Sequence, residues 1–194
     1  MKNELTSSTH SGGRDAVFLL AGIAGGILGS RLLPPLIAQA TSAARAKSGA
    51  DPFQLLIEDH REILALLDRM AGAPSASAAQ RGKLFLALKR KLAKHAMAEE
   101  DVVYPIVSKE PGTGTQGQHL YHEHADMKIL LYELESQLMA GQDWSAAVAR
   151  LRDLIRSHID EEEETVFPAL RSKLEASAKP KVSGQISREE ALVL

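Results

Sequence analysis

Between Asp51 and Leu174 apolar side chains recur every three or four positions, the spacing that lines one face of an α-helix. The first run opens at Asp51-Pro52, an acidic cap followed by proline in the first turn. Its stripe is Phe53, Leu56, Ile57, Ile63, Leu64, Leu67 and Met70, with His60 in the middle. AGAPSAS ends it, and a second stripe follows through Leu84, Leu88, Leu92, His95, Glu99, Val102 and Ile106. The segment KEPGTGTQGQ breaks the chain before a third run carrying His124, Met127, Leu131 and Leu134. After AGQDW the fourth shows Trp144, Val148, Leu151, Ile155, His158, Glu162 and Val166. Four amphipathic helices with short to moderate connections predict an all-α domain over residues 51–174, an antiparallel up-down-up-down four-helix bundle. Residues 175–194, with their Lys, Pro, Ser and Gly, read as a flexible tail.

Residues 1–50 follow a different pattern. A polar start gives way to AVFLLAGIAGGILGS, residues 16–30, which carries no charge before Arg31. As a helix this run covers only ~22 Å, short of a ~30 Å hydrocarbon core, unless Arg31 snorkels and the helix continues through LLPPLIAQA. Gly22, Gly26 and Ser30 stand four apart, the small-residue spacing that lets helices approach closely, so membrane association through residues 16–40 or homo-oligomerisation is one expectation. A secretory signal cleaved near Ala40 and an exported protein is a second, and a cytoplasmic appendage a third.

Composition narrows the chemistry. With 44% apolar and 25% charged residues the balance is that of a soluble domain, and 4% aromatics favours helix over strand. A net charge of −2 gives no electrostatic footprint for nucleic acid, and Lys89, Arg90, Lys91 and Lys94 read as a solvated helix face. The absence of cysteine excludes disulfides, thiolate metal sites and thiol catalysis. A metal in this chain must be held by histidine and carboxylate.

HAMAEEDVVYP from His95 and HIDEEEETVFP from His158 place His, Glu, Glu, Val, an aromatic and Pro at the same offsets. DHREILALL from Asp59 and EHADMKILL from Glu123 precede them at nearly the same distance, so the chain reads as a duplicated helix pair. His60 and His124 then occupy equivalent points on the odd helices, and His95/Glu99 and His158/Glu162 on the even ones. Residues i and i+4 share a helix face, so each His-x-x-x-Glu pair offers an imidazole nitrogen and a carboxylate to one region. Two carboxylates buried among four imidazoles are costly without compensating cations. Two divalent metals supply that compensation, with each glutamate able to bridge them. Iron, zinc and manganese all suit these ligands.

This set of residues, with its Val-Tyr-Pro and Val-Phe-Pro endings, resembles the hemerythrin-like HHE cation-binding domain over roughly residues 51–174. The resemblance implies a four-helix bundle with two non-haem irons, His60, His95, His124 and His158 as terminal ligands and Glu99 and Glu162 as bridging ones. Oxygen-carrying members use a fifth histidine one turn from the third-helix histidine. Here Leu120 and Lys128 hold the positions four before and four after His124, so that ligand is missing. Tyr121, three before His124, is the expected neighbour of the open position. Glu100 and Glu163 are expected to partner ligands rather than ligate, and His119 and His122 to lie at the surface. Pro105 and Pro168 are expected to kink or end their helices.

Three functions fit these features. A di-iron protein would bind O2, NO or peroxide at an open iron position, in sensing, scavenging or storage, as a ligand-binding protein rather than an enzyme. An enzyme reducing peroxide or oxygen would need a proton donor near that position, and Tyr121 is the candidate. A structural, iron-handling bundle would use metal chiefly for stability.

Overall fold

The computed structural model describes residue 35 and residues 37–110 and 113–193, and among these residues helix is the only regular structure. In chain order the helices are α1 (residues 37–47), α2 (Gln54–Ala71), α3 (Ala78–Ala98), α4 (Tyr104–Lys109), α5 (Gly114–Met139), α6 (Ser145–Glu161), α7 (Phe167–Lys173) and α8 (Lys179–Leu192). Two π-helical turns, Glu99–Val103 and Glu162–Val166, join α3 to α4 and α6 to α7. The long helices form a ring of neighbours, with α2 packed on α3 and α6, and α5 on α6 and α3.

Two apolar clusters fill the interior. One contains Ile63, Leu67, Leu88, Leu92, Met127 and Ile155; the other contains Phe53, Leu56, Val103, Tyr104, Leu120 and Phe167. Along α2 the chain leaves the second cluster at Leu56, passes His60 and enters the first at Ile63. The path along α5 is the same, through Leu120, His124 and Met127, whereas α3 runs from Leu92 past His95 to Ala98. Each histidine therefore sits where one apolar cluster gives way to the other.

Asp51 does not cap α2. The helix starts at Gln54 with Phe53 as its N-cap residue, and the Asp51 carboxylate instead accepts from Arg171 of α7, Nε to Oδ1 at 3.0 Å and Nη2 to Oδ2 at 2.7 Å. A bidentate, charge-assisted fork outcompetes a single backbone N–H. At α3 the sequence is conventional: Ser77 caps it by accepting the Gln80 N–H.

Neither Pro105 nor Pro168 ends its helix. Proline clashes with the carbonyl four residues back, and the helix widens to absorb this, with the Tyr104 N–H bonded to Glu99 O and the Phe167 N–H to Glu162 O, five residues away. The widening shifts the buried register: beyond it Val103, Tyr104 and Val107 are buried, while Ile106 of the expected stripe is only half-buried.

The stretch read as a flexible tail contains α8, packed against α3. Val182 and Ile186, one turn apart, are buried, and Gly184 permits close contact with α1, since a Cβ there would lie 2.9 Å from the Ser42 carbonyl oxygen. The apolar run 16–30 lies outside the described residues. Among the described residues no helix is long and apolar enough to cross a membrane.

Candidate metal centre

Six side chains converge between the two apolar clusters: His60 from α2, His95 from α3, Glu99 from the first π-turn, His124 from α5, His158 from α6 and Glu162 from the second π-turn. All six are at most 4% exposed. Glu99 faces both halves of the group. Its Oε1 lies 3.1 Å from His95 Nε2 and 3.8 Å from His60 Nε2, and its Oε2 lies 3.4 Å from His124 Nε2. Glu162 is placed similarly, with Oε2 at 3.2 Å from His60 Nε2 and 3.5 Å from His158 Nε2.

Carboxylates fix three of the four rings from behind. His60 Nδ1 lies 2.8 Å from Glu163 Oε1, His124 Nδ1 2.9 Å from Glu100 Oε1 and His158 Nδ1 2.7 Å from Glu123 Oε2. Such a partner sets the ring's tautomer and turns Nε2 inward. Glu100 and Glu163 thus stand behind the rings, and Glu123, which sequence reading did not single out, does the same for His158. His95 Nδ1 has no hydrogen-bond partner among the described residues.

A tyrosine completes the group, but it is not Tyr121. The Tyr121 hydroxyl donates to the Glu100 backbone carbonyl at 2.7 Å, outside the cluster. The buried Tyr104 hydroxyl instead lies 2.8 Å from His124 Nε2 and 3.3 Å from His158 Nε2, and donates to Glu162 Oε1 at 3.0 Å. Leu120, in the place of a fifth histidine, is fully buried in the cluster that also holds Tyr104. At the surface, His119 Nε2 lies 3.5 Å from Glu123 Oε1 and 3.4 Å from Glu161 Oε2. His122 is exposed.

The electrostatics show a site that attracts cations. Burial opposes protonation of His60, but the facing carboxylates of Glu162 and Glu99 outweigh it and raise the ring to about 10. His124 is likewise raised to about 9, burial being outweighed by Glu100 and Glu99. Burial would raise Glu99, yet His95, His124 and His60 hold it well below the usual carboxylate range. Tyr104 is pushed well above 10 by burial and by the charges of Glu162 and Glu99, so on its own it remains a neutral phenol.

The donor set fits a metal. Buried Nε2 of His60, Oε1 of Glu99 and Oε2 of Glu162 have no hydrogen-bond partner among the described residues, although they point into the same small volume. Orphaned buried polar atoms are costly, and a shared cation satisfies all three. The ligand atoms fall into two overlapping groups, His60/His95/Glu99/Glu162 and Glu99/His124/His158, with Glu99 common to both.

A helical bundle with buried imidazoles and carboxylates gathered between two apolar clusters belongs to the class of histidine/carboxylate cation-binding domains. Residues 51–170 match the family model of the hemerythrin HHE cation-binding domain, and the chain belongs to that family. It is 31% identical over 116 residues to a DNA nickase of Nostoc sp., a match covering 60% of this chain and 32% of the nickase. Over 142 residues it is 27% identical to an uncharacterised hemerythrin-like protein of Schizosaccharomyces pombe, covering 71% of this chain and 68% of that one. The chain thus spans about a third of the nickase and about two thirds of the yeast relative. No solved structure matches it.

Proposed function

We propose that this protein is a di-iron ligand-binding protein that takes O2, NO or peroxide at an open metal position. His60 and His95 would hold one metal and His124 and His158 the other, with the Glu99 and Glu162 carboxylates shared between the two. The observation that carries this reading is Glu99, whose two oxygens are divided between the His60/His95 pair and His124. Two irons bound there would supply one-electron chemistry toward diatomic ligands and peroxide. The protein's own part is to orient the ligands through Glu163, Glu100 and Glu123 and to shield the centre with apolar clusters on both sides. The order in which α2, α3 and α5 pass between those clusters supports the up-down-up-down bundle expected from the sequence. The test is anaerobic loading with ferrous iron, followed by optical spectra under O2, NO and peroxide. A saturable new absorption band supports the reading, and spectra unchanged by all three refute it.

Turnover of peroxide has one observation in its favour, a buried Tyr104 O–H within hydrogen-bond distance of His124 Nε2 and Glu162 Oε1, since such turnover needs a proton donor. Sustained peroxide consumption that Tyr104→Phe abolishes would favour that reading.

For the N-terminal region we propose an uncleaved chain that associates with membranes, or with copies of itself, through residues 16–40. Cleavage near Ala40 would cut within the helix over residues 37–47, whose Ala38 is 1% exposed and whose Ser42 abuts Gly184, so the packing supports an uncut chain. Intact mass of the membrane-bound and soluble protein tests this.

A further inference from the structure

Along the seam between α3 and α5 lies a cavity of about 200 Å³. Ala93 and Ala96 of α3 line it together with Met127 and Leu131 of α5, and larger side chains at the two alanines would fill the volume. Its inner end reaches His60, His95, His124 and His158. At its outer end Lys89, Ala93 and Lys128 are exposed.

Its size, its lining and its mouth define what such a cavity takes. A diatomic molecule or peroxide needs far less room, whereas a dry apolar cavity of about 150 Å³ suffices for benzene. The lining is almost wholly carbon. Both lysines at the mouth already have counter-ions, Lys89 Nζ at 2.7 Å from Glu135 Oε2 and Lys128 Nζ at 2.8 Å from Glu100 Oε1, so an anionic headgroup finds no free cation there. For His60, His124 and His158, Nδ1 is taken by a carboxylate and Nε2 lies within the cluster, which leaves ring carbon to face the cavity.

We propose that this cavity is a binding site for a neutral, apolar organic molecule, of about the size of benzene or a short alkyl chain, held against the imidazoles of the His/Glu cluster. The site goes beyond the diatomic and peroxide reading and does not rest on it, because its walls are side chains and not metal. It puts the carbon skeleton of an organic ligand beside the buried His/Glu cluster.

The test uses the full-length protein carrying 13C-methyl methionine, titrated with benzene, with metal content measured on every sample. The proposal expects a saturable shift of the Met127 methyl with a nuclear Overhauser contact to benzene, and no shift of the exposed Met97 and Met139. Ala93→Leu and Ala96→Leu fill the seam and should weaken binding at least tenfold. Hexanoate should bind at least tenfold more weakly than hexane. No Met127 shift or contact up to the solubility limit of benzene overturns the proposal, and this wild-type readout stands even if both variants fail to fold. Hexanoate equal to or tighter than hexane, or undiminished benzene binding to the folded leucine variants, also overturns it. Retained benzene binding in protein that takes up no metal would count against the di-iron reading and leave this one intact.

Discussion

Tyr104 and Phe167 occupy equivalent places, each nine residues after the histidine of its repeat, yet only Tyr104 brings a hydroxyl to the cluster, 2.8 Å from His124 Nε2. Phe167 stacks its ring on Phe53 at 4.9 Å and on His60 at 6.0 Å. The twofold repeat is therefore broken in chemistry while it is kept in shape. The His124/His158 half has an O–H at hand, and the His60/His95 half has an apolar ring.

Removing that hydroxyl tests its place. Tyr104→Phe leaves the ring packing intact but strips His124 and Glu162 of a shared partner, so the metal-free protein should lose about 1–3 kcal/mol of stability in denaturant unfolding. The optical spectrum of the iron-loaded protein should change as well. Tyr121→Phe, whose hydroxyl reaches only the Glu100 backbone, should leave the spectrum unaltered.

The carboxylates differ in role, and substitution should sort them. Glu99→Ala removes the side chain common to both ligand groups, so metal content should fall to one or none while circular dichroism keeps its helical shape. Glu163→Ala only releases His60 Nδ1 and should weaken metal binding roughly 10- to 100-fold without abolishing it. Equal loss in both variants would mean that Glu163, not Glu162, points into the site.

Metal uptake should release protons. In the metal-free protein His60 is raised to about 10 and His124 to about 9, so both are charged at pH 7.5 and must shed a proton to donate a lone pair. Titration calorimetry in buffers of different ionisation enthalpy should show at least two protons released per chain. Stability has the opposite trend. A folded-state pKa above the unfolded value of about 6.5 contributes stability that is fully present below pH 6.5 and is lost as pH rises through 9 and 10. The metal-free protein should therefore weaken toward alkaline pH while metal affinity rises.

Much of this was legible in the sequence because its period was helical. His60, His95, Glu99, His124, His158 and Glu162 all fall on three-and-four stripes, and the repeat pairs them. Tyr104 escaped for a definite reason: five residues past Glu99, an ordinary helix turns it about 140° off that face, and only the π-turn restores it. The proline at 105 was the visible signal, read as a kink or an end of the helix, and what it marks is a widening. Glu100 and Glu163 stood out through the repeated Glu-Glu pairs, whereas Glu123 has no such pair beside it and the repeat matches it with Asp59, so nothing in the spacing tied its carboxylate to His158 of α6. In α8 just two apolar residues, Val182 and Ile186, form the stripe, too few to stand out against a polar composition.

The α1 and α8 contact can be probed at its tightest point. Gly184→Leu cannot fit beside the Ser42 carbonyl, so it should separate the two helices at a cost of about 1–3 kcal/mol. Amide exchange over residues 37–47 should quicken while metal content is unchanged. Loss of metal in this variant would show that α8 supports the site, through its packing on α3.

Two metals in one chain, among four imidazoles and two carboxylates, make a stoichiometry that can be counted. Its most direct test is elemental analysis of the full-length protein after loading with ferrous iron under reducing, oxygen-free conditions and removal of free metal. Close to two irons per chain is the expected result. One iron per chain, or none, would contradict it.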